Sequence, residues 1–98
     1  MLTEVEFRHG LLDPQVKKQR VMIYGRGVYV DVAALKKALD DRGYGADEGE
    51  LDRYVDTLGG HRVERGKWFK RMNRSGRLAR RSQYFLPELA FQRIRQRH

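Results

Sequence analysis

The apolar positions of the chain change their spacing along its length, and each change marks an expected element. Near the start, Val5 and Phe7 alternate with Thr3, Glu4 and Glu6, which together with Leu2 predicts a short half-buried strand over 2–8. Asp13-Pro14 places a capping residue before the favoured first-turn proline and opens a short helix through Val16 toward Arg20. Two β-branched, aromatic-rich runs follow, Val21 to Tyr24 and Val28 to Val30, joined through Gly25-Arg26-Gly27. They predict a tight hairpin, and a helix from Pro14 to Tyr24 ended by Gly25 is the alternative.

The middle of the chain has helical periodicity. Leu35, Ala38 and Leu39 recur at i, i+3 and i+4, with Asp31 placed to cap and Gly43 to stop. After the turn Gly43-Tyr44-Gly45, Leu51, Tyr54, Val55 and Leu58 recur at i, i+3, i+4 and i+7. Asp47 and Glu50 have capping-box spacing at its start, and Gly59-Gly60 end it. From His61 the pattern returns to strands: Val63 stands between Arg62 and Glu64, and Gln83-Tyr84-Phe85-Leu86 closes a long basic loop. Pro87 at an N1 position then starts a terminal helix, with Ala90 and Ile94 on an apolar face suited to a homodimer and Arg93, Arg95 and Arg97 at its negative end.

Composition narrows the function classes. With 98 residues the chain fits one small domain over 1–98, and without cysteine it has neither a disulfide framework nor a Cys-zinc site. No apolar run is long enough for a membrane span or a secretory segment, so a soluble cytoplasmic protein without membrane contact is expected. His9, His61 and His98 are scattered without ligand spacing, and Ser75 and Ser82 have no base nearby in sequence. The expectation is therefore no enzyme, no metal and no cofactor. Asp40, Asp41, Asp47, Glu48 and Glu50 are better explained by capping and solvation than by a magnesium site, and the Gly-containing triplets by turns than by a phosphate-binding loop.

Charge changes the picture most. Between His61 and Arg81 stand Arg62, Arg65, Lys67, Lys70, Arg71, Arg74, Arg77, Arg80 and Arg81, nine cations against the single anion Glu64. The remaining residues hold twelve of the 21 cations and twelve of the 13 anions, so the whole net charge of +8 belongs to this stretch. Fifteen Arg against six Lys is a bias of composition, but composition does not explain clustering. The planar guanidinium grips phosphate or guanine through two parallel hydrogen bonds. A polyanion is the implied partner, with Trp68, Phe69, Tyr84 and Phe85 interleaved. Adjacent aromatics on a strand face opposite ways, so one of each pair belongs in the core and the other, with Trp68 and Tyr84 the candidates, is available to stack on a base. Arg26, at the tip of the first hairpin, is a further candidate phosphate contact.

A helix, a Gly-containing turn, a second helix and then a β-hairpin with a basic tip resemble the winged helix-turn-helix superfamily over roughly 30–86. In that resemblance, 32–42 is the first helix of the pair, 47–58 the recognition helix and 61–86 the wing, within a small α+β domain that adds an N-terminal strand or hairpin and a C-terminal helix. It implies that the second helix reads base edges while wing residues hold phosphates. Here the matching helix carries Asp47, Glu48, Glu50, Asp52 and Asp56 with one cation, Arg53. Three arrangements follow: Arg53 is exposed and the acids point away; the wing does most of the binding; or the acidic helix faces a basic protein through Asp47, Glu48 and Asp52. The expected function is occupancy of double-stranded DNA in transcriptional or replication control, through Arg53 and the nine cations of the hairpin. The alternatives are an RNA or single-strand binding module and an interaction or inhibitor module docking through its acidic helix.

Overall fold

The computed structural model describes residues 1–64 and 82–97. Among them the chain forms α1 (Glu4–Leu11), α2 (Pro14–Gln19), β1 (Val21–Ile23), β2 (Gly27–Asp31), α3 (Val32–Asp41), α4 (Glu48–Thr57), β3 (His61–Val63), β4 (Gln83–Pro87) and α5 (Glu88–Arg97). This is an α+β domain whose antiparallel sheet has the order β1-β2-β4-β3. Helical side chains cover one face of the sheet, burying Val28, Val30, Tyr84 and Leu86 with Phe7, Leu11, Leu35, Leu39, Leu51, Val55, Phe91 and Ile94. On the other face a smaller cluster gathers Val21, Ile23, Val63 and Phe85 around Tyr29.

The first segment corrects the expected strand. Thr3 accepts a hydrogen bond from the Glu6 amide, and the Glu6 carboxylate accepts one from the Thr3 amide, so two of the donors a helix start leaves unpaired are satisfied reciprocally. Once α1 forms, Phe7 and Leu11 fall four apart on the buried side and Val5 stays 55% exposed. The alternation of Val5 and Phe7 is thus a coincidence of helix positions.

The other elements follow their sequence signals. Asp13 caps α2 through the Gln15 amide, and the β1–β2 hairpin closes with the Arg26 amide donating to the Ile23 carbonyl. The hairpin reading therefore holds against the single long helix. Asp31 caps α3 through the Ala34 amide, and Asp47 caps α4 through the Glu50 amide. Glu50 does not complete that box; its carboxylate accepts from the Leu2 amide and ties the chain start to α4. Pro87 is the last residue of β4, paired with Gly27, and Glu88 is the first of α5, one position beyond the expected start. Gly60 lets α4 close onto β4, because a Cβ there would lie 2.0 Å from the Phe85 carbonyl oxygen.

The apolar face of α5 is used inside the domain. Phe91 and Ile94 are buried in the main core, and Ala90 is half-buried, which leaves Leu89 as the exposed large apolar side chain of this helix. The face expected to serve a homodimer is therefore committed to the fold. No helix among the described residues is long and apolar enough to cross a membrane.

Candidate nucleic-acid interface

The register fixes where the basic segment is mounted. β3 and β4 pair antiparallel, with Arg62 opposite Tyr84 and Val63 opposite Gln83, so Glu64 and Ser82 stand at one end of the sheet. There the Ser82 hydroxyl donates to Glu64 at 3.0 Å, and the Ser82 carbonyl accepts from the Val32 amide at the start of α3. Residues 65–81 connect these anchors. Arg65, Lys67, Trp68, Lys70, Arg71, Arg74, Arg77, Arg80 and Arg81 therefore lie outside the described residues.

Arg62, the first cation of the run, is engaged within the fold. Its Nη1 donates to Glu48 at 2.8 Å and lies 3.8 Å from Asp52, while its Nε makes an ion pair with Glu64 at 2.9 Å. The hydrogen bond to Glu48 raises its pKa further above the ordinary guanidinium value, against the opposing effect of burial. Three carboxylates thus already occupy the side chain, and it acts as a strut between β3 and α4. Beneath it, the Tyr84 hydroxyl donates to Asp52 at 2.5 Å. Burial, and then that hydrogen bond, hold the phenol protonated well above the usual tyrosine range.

Tyr84 corrects one expectation: its ring is fully buried in the main core and offers no face to a base. The strand parity that buries Tyr84 turns Phe85 to the opposite face, where it is half-buried against Tyr29 and His61. One aromatic of the pair is inside and the other partly outside, as strand geometry requires.

On α4, Leu51 and Val55 face the core, and Glu48, Asp52, Arg53 and Asp56 are all exposed. Arg53 is thus exposed, as one of the expected arrangements requires, and so are the acids of the same helix. Arg53 lies beside Met1, Leu2 and Tyr54 along a pocket of about 370 Å³, on a different side of the helix from the Glu48 and Asp52 carboxylates that hold Arg62. Arg26 is exposed in the β1–β2 turn, next to the Gly27–Pro87 end of the sheet, the end away from Glu64 and Ser82. The structure does not bring Arg26 or Arg53 together with the anchors of the basic segment.

One cation without a role in the sequence pattern packs onto the core. Arg20, between α2 and β1, lies over the ring of Phe91 on α5, and Arg95 is close enough to influence it electrostatically. A cation four residues after a buried aromatic on a helix was visible in the sequence, but nothing linked it to a residue 75 positions earlier. Among the described residues, no three His, Asp or Glu side chains gather in a geometry that would hold a metal ion. Comparison with protein-family models, with curated proteins and with solved structures finds no match to this chain.

Proposed function

We propose that the domain binds double-stranded DNA by occupancy, as a winged-helix-like module in which the 65–81 segment supplies most of the phosphate grip. The observation that carries this reading is segregation of charge. Residues 65–81 contain eight cations and no anion, while the exposed side of α4 carries Glu48, Asp52 and Asp56. An acidic helix entering a groove between phosphate rows meets like charge, whereas a basic segment that connects β3 to β4 does not. The resemblance is supported by element order: α3 and α4 follow one another through a Gly-containing turn, and the β3–β4 pair comes next. That pair is hydrogen-bonded through β4 to β2, the strand that precedes α3, so the helix pair and the hairpin share one frame. Control of transcription or replication by blocking or recruiting other machinery is the setting this chemistry fits.

Fluorescence anisotropy against duplex DNA, single-stranded DNA and RNA over a range of salt tests the reading. With five or six phosphate contacts, log K for the duplex falls against log salt with a slope of about −4.5 to −5.4. Replacing Arg74, Arg77, Arg80 and Arg81 with Gln abolishes this binding, and replacing Glu48 and Asp52 spares it. Tighter binding to RNA or single strands than to duplex would instead establish the alternative ligand, and no binding to any of the three at low salt would end the nucleic-acid reading.

A further inference from the structure

We propose that the groove between α1, the C-terminal half of α4 and α5 docks an acidic amphipathic helix of another protein. Three hollows adjoin there. The first, of about 370 Å³, lies beside Met1, Leu2, Arg53 and Tyr54. The second, of about 330 Å³, is lined by Phe7, Tyr54, Leu58 and Ile94, and the third, of about 220 Å³, extends to Ala90 and Arg93. Thr57 borders all three, so they form one continuous groove. Its floor is built by the fold itself. Phe7 and Ile94 belong to the buried core, Tyr54 stacks on Phe7 with ring centroids 5.1 Å apart, and the Tyr54 hydroxyl donates to the Leu2 carbonyl at 2.6 Å. A floor fixed in advance lowers the ordering cost of binding.

The rims are apolar as well. Five large apolar side chains are exposed among the described residues; Met22 and Tyr24 belong to the β1–β2 hairpin, and Met1, Val5 and Leu89 stand on the segments that border the groove. Val5 follows Glu4 in the first turn of α1, and Leu89 lies one turn before Arg93 on α5. Apolar side chains left in water around three joined hollows suit a helix whose anchors, at i, i+3 or i+4 and i+7, enter successive hollows.

Charge selects the occupant. The carboxylates on the groove are already used: Glu4 is paired with Arg8 at 2.6 Å, and Glu50 accepts from the Leu2 amide at 2.8 Å. Arg53 borders the first hollow and Arg93 the third, both exposed, and among the described residues neither guanidinium has a carboxylate within ion-pairing distance. The uncompensated charge is therefore positive at both ends of an apolar floor. It complements a helix that carries Asp or Glu beside its apolar face and repels a basic one.

The groove is also clear of the basic segment's anchors. Leu58 and Gly59 end α4 near Pro87, since a Cβ on Gly59 would lie 3.7 Å from the Pro87 ring, and Pro87 is at the end of β4 away from Glu64 and Ser82. A helix docked here leaves those anchors uncovered.

The test uses two fluorescein-labelled helical peptides of about 16 residues, each with Leu at i, i+3, i+4 and i+7, one flanked by Glu and the other by Lys. Because an acidic peptide is also drawn to the basic segment, the background is the full chain with Arg74, Arg77, Arg80 and Arg81 each replaced by Gln. By fluorescence anisotropy the Glu peptide binds this chain at least about tenfold more tightly than the Lys peptide. Adding Leu89→Glu or Val5→Glu weakens the Glu peptide about tenfold, Arg93→Glu weakens it by about threefold or more, and Met22→Glu, on the hairpin, leaves it unchanged. Thermal melting checks that each variant is folded. Absence of binding by the Glu peptide below about 1 mM, equal binding of the Lys peptide, or unchanged affinity in the folded Leu89→Glu and Val5→Glu chains overturns the site. These titrations contain no nucleic acid, so their failure leaves the DNA-binding reading standing, and the failure of that reading leaves the groove standing.

Discussion

Arg62, in β3, and Arg20, just before β1, stand at opposite ends of the strand row β1-β2-β4-β3, and both face the helical layer. Their surroundings are opposite in sign. Arg62 sits among Glu48, Asp52 and Glu64, which favour its charged form, whereas Arg20 lies over the Phe91 ring and its charged form is disfavoured by burial and then by the charge of Arg95. The arginine that belongs to the basic run in the sequence is the one the fold uses for itself. The arginine outside the run is the one left without a counter-ion. Clustering along the chain reports where charge is abundant; only the three-dimensional neighbours report which charges remain available to a ligand.

The largest test of this contrast is Arg62→Gln. Removing the strut leaves Glu48, Asp52 and Glu64 facing one another without their shared cation, and the loss is moderated because the carboxylates are about half exposed or more. The expected cost is about 1–2 kcal/mol, or a fall in melting temperature of roughly 5–15 °C, and high salt narrows the gap by screening the repulsion. The salt slope of duplex binding stays within about 0.3 of wild type, because Arg62 displaces no counterions from phosphate. A slope reduced by a full contact, with little change in stability, would reverse the roles given to the two arginines.

The frame that holds this contrast was mostly legible in the sequence. Asp31 and Asp47 as caps, and the i, i+3, i+4 spacing of Leu35, Ala38 and Leu39, mark α3 and α4 because capping and amphipathicity are local properties. The start of α1 was misread for a related reason. Thr3 and Glu6 have capping-box spacing, but the same residues also fit the alternation around Val5, and only the exposure of Val5 in the folded chain separates the two patterns. Tyr84 could not be told from Phe85, because strand parity gives two faces without saying which one the helices cover. The engagement of Arg62 depends on carboxylates 10 and 14 residues earlier on another element, and the packing of Arg20 on Phe91 spans the chain. Such pairings follow from topology and have no periodic trace.

A smaller test acts beneath the Arg62 strut. Tyr84→Phe removes the hydroxyl that donates to Asp52 while keeping the buried ring, at an expected cost of about 1 kcal/mol, since water reaches the exposed carboxylate. The pH dependence gives the sharper readout. The folded-state pKa of Tyr84 lies above its ordinary value of 10.0, so the folded protein retains a proton that the unfolded chain releases first. Its contribution is fully present below about pH 10 and is lost as pH rises through the folded value. The stability advantage of wild type over Tyr84→Phe, measured by urea unfolding at pH 8 and at pH 10.5 to 11, therefore shrinks at the higher pH. An advantage that grows on the alkaline side would mean that the hydroxyl is not held by Asp52.

The smallest expected effect is on stability at the other end of the row. Arg20→Gln gives up the contact with the Phe91 ring, worth about 0.5–1 kcal/mol, and at the same time removes the repulsion from Arg95. The two changes oppose each other, so the melting temperature shifts by less than about 4 °C, a net effect of about 0.5 kcal/mol or below. Low salt exposes the balance. With screening reduced, the repulsion in wild type grows, and the variant gains on wild type as ionic strength falls, the reverse of the trend for Arg62→Gln. Parallel salt trends in the two variants would mean that Arg20 has a counter-charge in solution after all, and the two ends of the row would then be electrostatically alike.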